Sequence, residues 1–127
     1  MPNQEIEGQI TFFYYRNLQG AVDFYENIMG FELAVDQGWS KIFKASDNAY
    51  VGVVDERYGY HKASPTKPVM LTLLVPDVDA WYRHFEQKGV ISLSQPHDND
   101  ELGIRTFLLE DPEGYVIEIQ KFKHASG

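Results

Sequence analysis

The sequence predicts an α+β domain built from two tandem βαβββ modules. Three observations support this prediction: a strand-type segment followed by a helix-type segment occurs twice, the two copies align at an offset of 60 residues, and short strand-type segments follow each copy. We place module one at about residues 8–55, a polar linker at 56–67 and module two at about 68–122. The 127 residues suffice for one domain with its own hydrophobic core.

The repeat is a match of residue types more than of identities. Asn17 aligns with Asp77, and each can begin a helix by accepting hydrogen bonds from free backbone N–H groups. One residue is then lost in the second copy, so that Gly30 aligns with Gly89. Glycine readily adopts the left-handed conformation that ends helices. Each copy therefore has a predicted start and end for its helix.

The remaining elements follow from the spacing of apolar residues. An apolar stripe at helical spacing occurs in each copy, which predicts that both helices pack on one face of a sheet. The two stripes are Ala21, Phe24, Tyr25 and Ile28, and Val78, Trp81, Tyr82 and Phe85. Segments rich in β-branched and aromatic residues predict strands at 9–15, 31–35, 40–44, 49–55, 70–75, 91–95, 104–109 and 115–121.

Charge and composition narrow the range of partners. Eleven Lys and Arg residues against 19 Asp and Glu residues give a net charge of −8, which repels phosphate backbones, so we expect no nucleic-acid partner. No apolar run approaches the roughly 18 residues that cross a bilayer, and the N-terminal residues lack the features of a secretory signal. We therefore expect no membrane partner and a cytoplasmic location. The absence of cysteine excludes thiol nucleophiles, Cys-type zinc sites and disulfides.

Two motifs resemble those of a known family. The segment from Asn17-Leu18 to Met29-Gly30-Phe31 resembles the opening of the vicinal oxygen chelate superfamily, which contains glyoxalase I, bleomycin-resistance proteins, fosfomycin-resistance enzymes and extradiol dioxygenases. The turn Asp111-Pro112-Glu113-Gly114, followed by Glu118, resembles its second signature. The resemblance covers about residues 8–122. It implies a cup-shaped mixed sheet with helices outside, a ligand site inside the cup, and a homodimer.

The resemblance also implies where a metal would bind. Metal-dependent members carry His or Glu at four inward-facing strand positions, which here are Ile10, Val53, Met70 and Glu118. A shift of one residue in the alignment would replace Val53 by Gly52 or Val54. Ile, Val and Met offer no suitable donor to a hard or borderline cation, so we expect no metal and no cofactor. The four histidines are expected on the surface, outside the strands of the cup: His61, His84, His97 and His124.

The alternation of side chains along strands predicts which residues line the cup. Trp39 lies at the rim of the cup, and its position in the sequence does not decide which way its side chain points; the other predicted ligand-binding residues point inward. The full set is Ile10, Phe12, Tyr14, Trp39, Met70, Thr72, Thr106, Leu108 and Glu118. Such a lining suits a planar or hydrophobic small molecule, although the aromatic residues could instead fill the cup as core. Glu118 would transfer a proton or pair with a cationic ligand, or else be satisfied by Arg16, Tyr14 or water.

Two functional hypotheses follow. The first is a metal-free small-molecule-binding protein that resembles the bleomycin-resistance group and sequesters an aromatic or cationic compound in the apolar cup of a dimer. The second is a lyase or isomerase of the glyoxalase type, or a metal-free enzyme with Glu118 as base; metal-dependent glyoxalase or dioxygenase activity is disfavoured. Whether any reaction is catalysed stays open. A third hypothesis, a subunit of a larger assembly, rests on the segment Tyr58-Gly59-Tyr60-His61 as an exposed contact.

Overall fold

A computed structural model describes residues 4–123, which form two compact units divided between Ser64 and Pro65. The elements of the first unit, in chain order, are β1 (Gln9–Tyr15), α1 (Leu18–Asp23), β2 (Glu32–Asp36), β3 (Ser40–Ser46) and β4 (Ala49–Asp55). Those of the second unit are β5 (Met70–Leu74), α2 (Val78–Gln87), β6 (His97–Asn99), β7 (Ile104–Glu110) and β8 (Val116–Phe122). Within residues 4–123, no helix is long and apolar enough to cross a membrane.

Each unit contains one mixed four-stranded sheet, and the two sheets share the same topology. Their strand orders are β1-β4-β3-β2 and β5-β8-β7-β6. In each sheet the first and last strands of the unit pair in parallel, and the other pairs are antiparallel. A parallel pair requires a crossover connection, and the helix lies within that connection. The predicted α+β class with two tandem βαβββ modules is confirmed.

The helix of each unit covers one face of its own sheet. In the first unit α1 contacts β4, and in the second α2 contacts β7 and β8. Ala21, Tyr25, Val78 and Phe85 of the predicted stripes are almost completely buried. The strand residues buried with them alternate along their strands: Phe13, Tyr15, Val51 and Val53 in the first unit, and Phe107, Leu109, Ile117 and Ile119 in the second. This alternation leaves the other face of each sheet for the candidate site.

The predicted helix signals are present in the structure. The Asn17 Oδ1 atom accepts a hydrogen bond from the Gly20 N–H at 3.1 Å, and the Asp77 Oδ1 atom accepts one from the Ala80 N–H at 3.0 Å. Gly30 and Gly89 both lie in the left-handed region, with φ of 76° and 78°. Side-chain capping satisfies a backbone donor that has no partner inside the helix.

A π-helical turn, Phe24–Ile28, continues α1 and was not predicted. The Met29 N–H donates to the Phe24 carbonyl at 2.9 Å, five residues back, whereas the Lys88 N–H at the end of α2 donates to the His84 carbonyl at 3.1 Å, four residues back. A π turn holds one more residue than an α turn. The extra residue of the first copy, inferred from the sequence alignment, is therefore accommodated in this wider turn.

The strand predicted at 91–95 is wrong. The Leu93 N–H donates to the Leu108 carbonyl at 2.8 Å, but the Leu108 N–H donates to the Ser94 Oγ atom at 3.0 Å instead of to a backbone carbonyl. A side chain thus takes the place of a backbone acceptor in the ladder. Pro96 has no N–H group with which to extend the pairing. The short strand β6 forms after this proline and pairs with β7.

Candidate functional site

The open face of the first sheet carries the predicted residues of β1. Ile10, Phe12 and Tyr14 alternate with the buried residues of the same strand, and Ile10 and Phe12 are 42% and 40% exposed. Their register partners on the parallel strand β4 are Tyr50, Gly52 and Val54. Residues paired directly across a sheet project to the same side. The structure therefore brings three of the predicted residues to one apolar face, away from α1.

The register corrects the metal-ligand position that was predicted at Val53. Phe12 pairs with Gly52, just as Thr72 pairs with Glu118 in the second unit, so Gly52 corresponds to Glu118. Val53 is wrong at this place because it is completely buried on the helix side of the sheet. Gly52 also allows a close approach: an ideal Cβ atom there would lie only 2.3 Å from the Phe12 Cδ1 atom. The ring of Phe12 thus occupies the space above Gly52.

An apolar groove of about 500 Å³ crosses this face of the first sheet. Its floor includes one residue from each strand, in the sheet order Ile10, Tyr50, Ile42 and Val35. Ala34 and the segment 7–9 complete the lining. A groove of this size and lining is large enough for a small aromatic molecule.

An aromatic cluster lies at the other end of β1. The ring centroids of Tyr14 and His61 are 5.3 Å apart in an edge-to-face arrangement, and those of Trp39 and Tyr58 are 6.1 Å apart. Gly59 packs so closely that an added Cβ atom would lie 3.0 Å from the Tyr14 ring. Trp39 precedes β3 and lies opposite Asp55. The Asp55 N–H donates to the Trp39 carbonyl at 2.9 Å. Trp39 therefore lies at the end of the sheet beside Tyr58, away from the groove.

The open face of the second sheet carries the other predicted residues. Met70 and Thr72 belong to β5, Thr106 and Leu108 to β7, and Glu118 to the strand β8 between them. In the register Glu118 is opposite both Thr72 and Leu108, so these three side chains lie in one row across the sheet. Met70 is 50% exposed and Thr106 only 6%. The structure thus brings all five residues to one face.

Two threonine hydroxyls hold the Glu118 carboxylate. The Thr72 hydroxyl donates to Glu118 Oε1 at 2.9 Å, and the Thr106 hydroxyl donates to Oε2 at 2.8 Å. From the sequence alone we expected Arg16, Tyr14 or water as partners of Glu118 and did not expect the two threonines. Both threonines were predicted to line the cup, but their hydrogen bonds to Glu118 were not predicted. The correct register between the strands would have revealed these contacts. The result is a carboxylate fixed in one orientation by two neutral donors.

The histidines are spread over the chain. His61 contacts Tyr14, and His84 contacts Trp81 in an edge-to-face arrangement with ring centroids 5.5 Å apart. His97 was expected outside the strands, but it begins β6 opposite Thr106 and so lies on the face of Glu118. His124 lies outside the described residues.

The basic side chains of the second sheet lie on its helix side. Arg105 donates from Nε and Nη2 to the Asp79 carboxylate, both at 2.9 Å, and from Nη1 to Asp98 at 3.0 Å. The two hydrogen bonds from Arg105 to Asp79 hold the pKa of that carboxyl below its ordinary value. Hydrogen bonds from Lys123 and Arg105 likewise lower the pKa of Asp98. Lys121 is the register partner of Arg105 and lies on the same side.

As a consequence, the open face of the second sheet is acidic. Its register positions carry two carboxylates, Glu110 and Glu118, and within β5–β8 no Lys or Arg occupies a position of that face. His97 is the remaining titratable group there. These carboxylates attract an organic cation, and no Lys or Arg at the described strand positions of this face repels it.

The side chains do not fit the divalent metal that the resemblance implies. The four corresponding positions hold Ile10, Gly52, Met70 and Glu118, of which only the last offers a donor to a hard or borderline cation. Among residues 4–123, no three His, Asp or Glu side chains come together in a way that could hold a metal ion.

Comparisons with known proteins agree with this fold. Among curated proteins, none matches the chain at a significant level of sequence similarity. The structure resembles lactoylglutathione lyase from Agrobacterium tumefaciens, with a TM-score of 0.74, 19% identity, and coverage of 99% of this chain and 98% of that chain. It also resembles TioX from Micromonospora sp. ML1, with a TM-score of 0.76, 20% identity, and coverage of 91% and 98%.

A third similar structure is a glyoxalase/bleomycin resistance protein/dioxygenase from Nocardioides, with a TM-score of 0.78, 16% identity, and coverage of 98% of this chain and 88% of that chain. At these identities the likeness concerns the fold alone. The sequence model of one family, however, matches residues 8–119. The chain therefore belongs to the Glyoxalase/Bleomycin resistance protein/Dioxygenase superfamily.

Proposed function

We propose that this chain is a metal-free small-molecule-binding protein that sequesters an aromatic or cationic compound. The observation that carries the proposal is the apolar groove of about 500 Å³ on the open face of the first sheet. Ile10 lines this groove at a position where, by the family resemblance, metal-dependent members carry a donor. An exposed apolar groove of this kind usually marks a binding site.

The groove offers apolar contact to a flat molecule and a negative charge at its rim. Ile10, Val35, Ile42 and Tyr50 supply the apolar floor, on which an aromatic ring would bury surface and contact the Tyr50 ring. Glu7 is the charged residue of the lining. Together with the net charge of −8, it favours cationic over anionic ligands.

The groove is tested with a charged and a neutral aromatic probe. We expect N-methylquinolinium and quinoline, which is neutral at pH 7.5, to bind with one equivalent per chain in calorimetric titrations. Ile10→Gln and Val35→Gln should each weaken binding about fivefold or more, because each places an amide on the apolar floor. The matched control is Ile91→Gln, at an exposed residue outside the groove, which should bind within about twofold of the original chain. Failure of both probes to bind, or equal losses in all three variants, would refute the proposal.

The metal-free part of the proposal has its own test. We expect elemental analysis of the purified protein to find far less than one equivalent of metal, and Ni²⁺, Zn²⁺, Mn²⁺ or Fe²⁺ to leave the melting temperature unchanged. An ion bound to the folded state would raise that temperature by linkage. Stoichiometric metal or metal-dependent glyoxalase turnover would overturn this part.

Glu118 favours a second candidate function, a lyase or isomerase of the glyoxalase type. Its carboxylate is held in one orientation on an open face, as a proton-transferring group requires. The similar Agrobacterium structure is a lactoylglutathione lyase. Formation of S-lactoylglutathione from glutathione and methylglyoxal that is lost in Glu118→Gln and kept in Glu110→Gln would support catalysis. Absence of turnover with and without added metal would exclude this activity.

The proposal also includes the homodimer and the cytoplasmic location expected from the sequence. Light scattering on the purified protein should give twice the mass of the 14.6 kDa chain. A monomer over the micromolar range would contradict the homodimer. Fractionation of the source cells should recover the protein in the cytoplasm, and recovery outside it would contradict the expected location.

A further inference from the structure

The hydrogen bonds around Glu118 leave a set of acceptors without donors. A hydroxyl carries one proton, and Thr72 and Thr106 each direct that proton to a different oxygen of Glu118. A carboxylate has about four lone-pair sites, of which these bonds fill two, and each hydroxyl oxygen keeps lone pairs of its own. The cluster therefore accepts hydrogen bonds from a bound group and has none of its own protons left to donate.

Such a cluster selects the chemistry of its ligand. A carboxylate or phosphate needs donors and would be repelled, whereas a primary ammonium group has three donors and a positive charge. Because the cluster lies on the open face of the sheet, the ligand can approach it from the side opposite α2. Thr106 is only 6% exposed, so its side of the cluster is buried.

The surroundings of Glu118 suit an organic amine. Met70 and Leu74 flank Thr72 on the same face of β5 and are 50% and 64% exposed, which provides apolar surface for a hydrocarbon group. Glu110 adds a second negative charge, and within β5–β8 the face has no Lys or Arg to compete with the ligand. Coulombic attraction and apolar contact thus favour the same class of molecule.

We propose that Thr72, Glu118 and Thr106 form a receptor for the primary ammonium group of an organic amine whose hydrocarbon part lies on Met70 and Leu74. The inference rests on the proposed binding function and specifies the cationic group of its ligand. Glu118 is the binding residue, and the two threonines are positioning residues that aim its carboxylate.

Three probes that differ only in their polar group test this receptor. They are 2-phenylethylammonium, its neutral analogue 2-phenylethanol, and 2-phenylethyltrimethylammonium, which keeps the charge but has no N–H donor. We expect the primary ammonium to bind the original chain at least about tenfold more tightly than either analogue. Hydrogen bonds between charged groups are stronger than those of neutral groups, and neither analogue can donate one from a charged group. Calorimetric or NMR titration at pH 7.5 gives the three dissociation constants.

Variants show whether the preference belongs to these residues. In Glu118→Gln, the dissociation constants of the primary ammonium and the alcohol should agree within about twofold. The dissociation constant of the alcohol should be the same as in the original chain. Thr72→Val and Thr106→Val should each reduce the preference about threefold or more, and Thr72→Ser should restore it. Glu86→Gln is the matched control, an exposed carboxylate on α2 at the opposite side of the sheet, and should keep the preference within about twofold.

The outcomes separate the receptor from the proposed function. Equal binding of the three probes to the original chain, or an unchanged preference in Glu118→Gln, would overturn the receptor and leave the groove standing. Failure of all three probes to bind would also overturn it, while the quinoline titrations judge the groove independently. If Glu118→Gln does not fold, as judged by circular dichroism, the Thr72→Val and Thr72→Ser pair decides the question.

Discussion

Gly52 lies under an aromatic ring that a larger residue would displace. An ideal Cβ atom at this position would lie 2.3 Å from the Cδ1 atom and 2.5 Å from the Cε1 atom of Phe12. Carbon atoms in favourable contact are about 3.5–4.0 Å apart, so the ring would have to move by more than about 1 Å. We therefore predict that Gly52→Ala forces Phe12 off this site and lowers the free energy of unfolding.

The size of the effect follows from the burial of the ring. Phe12 is 40% exposed, and complete burial of such a side chain contributes about 1.5–3 kcal/mol, so loss of its partial burial costs about 1–2 kcal/mol. Replacing glycine by alanine within a strand gains about 0.5–1 kcal/mol by itself. The net destabilisation expected for Gly52→Ala is about 0.5 kcal/mol. Once Phe12→Ala has removed the ring, the same substitution should instead stabilise the protein by about 0.5–1 kcal/mol.

A double-mutant cycle measures this change of sign. Urea unfolding of the original chain, Gly52→Ala, Phe12→Ala and the double variant gives the four free energies, with equal slopes as the check on two-state behaviour. We expect a coupling between the two positions of about 1–2 kcal/mol. If Gly52→Ala has the same effect in both backgrounds, within about 0.5 kcal/mol, the reasoning about the ring is refuted.

Two further predictions concern the second unit. Arg105 lowers the pKa of Asp79 below its ordinary value of 3.8, so the interaction contributes stability that is present above that value and is lost as the pH falls through the lowered pKa. Urea titrations between pH 7 and pH 2.5 should show a smaller acid loss of stability in Arg105→Gln, and an equal loss would contradict this ion pair. Gly89 has a φ of 78°, which costs other residues about 1–2 kcal/mol, so Gly89→Ala should lower the free energy of unfolding by about that amount. Gly89→Asn should lose less because asparagine tolerates this conformation; equal losses in both variants would contradict the explanation.

Sequence reasoning succeeded where short-range interactions decide the structure. Asn17 and Asp77 each cap a helix by accepting from an N–H group three residues ahead, and the strands 9–15 and 49–55 have the predicted bounds. The predictions from the sequence failed where the pairing between strands decides the structure. The predicted strand 91–95 does not form because the side chain of Ser94 takes the hydrogen bond of a distant residue, which no periodicity reveals.

The predicted site shows the same division. Alternation along a strand correctly separates Phe12 from the buried Phe13, since the period of two is local. The metal-ligand position on β4 depends on the register between β1 and β4. The predicted register was wrong by one residue, so the prediction named the buried Val53 instead of Gly52 on the open face.

The amino-acid sequence by itself determined the duplication, the helix ends, the α+β class and the lack of metal donors at Ile10 and Met70. Only the tertiary structure decided that the hydroxyls of Thr72 and Thr106 meet the carboxylate of Glu118, across 46 and 12 residues of chain. Helix caps and side-chain periodicity depend on neighbours a few residues away, and they are therefore visible in the sequence. Contacts between strands depend on a register that packing of the whole sheet selects, and for that reason the hydrogen bonds around Glu118 are visible only in the fold.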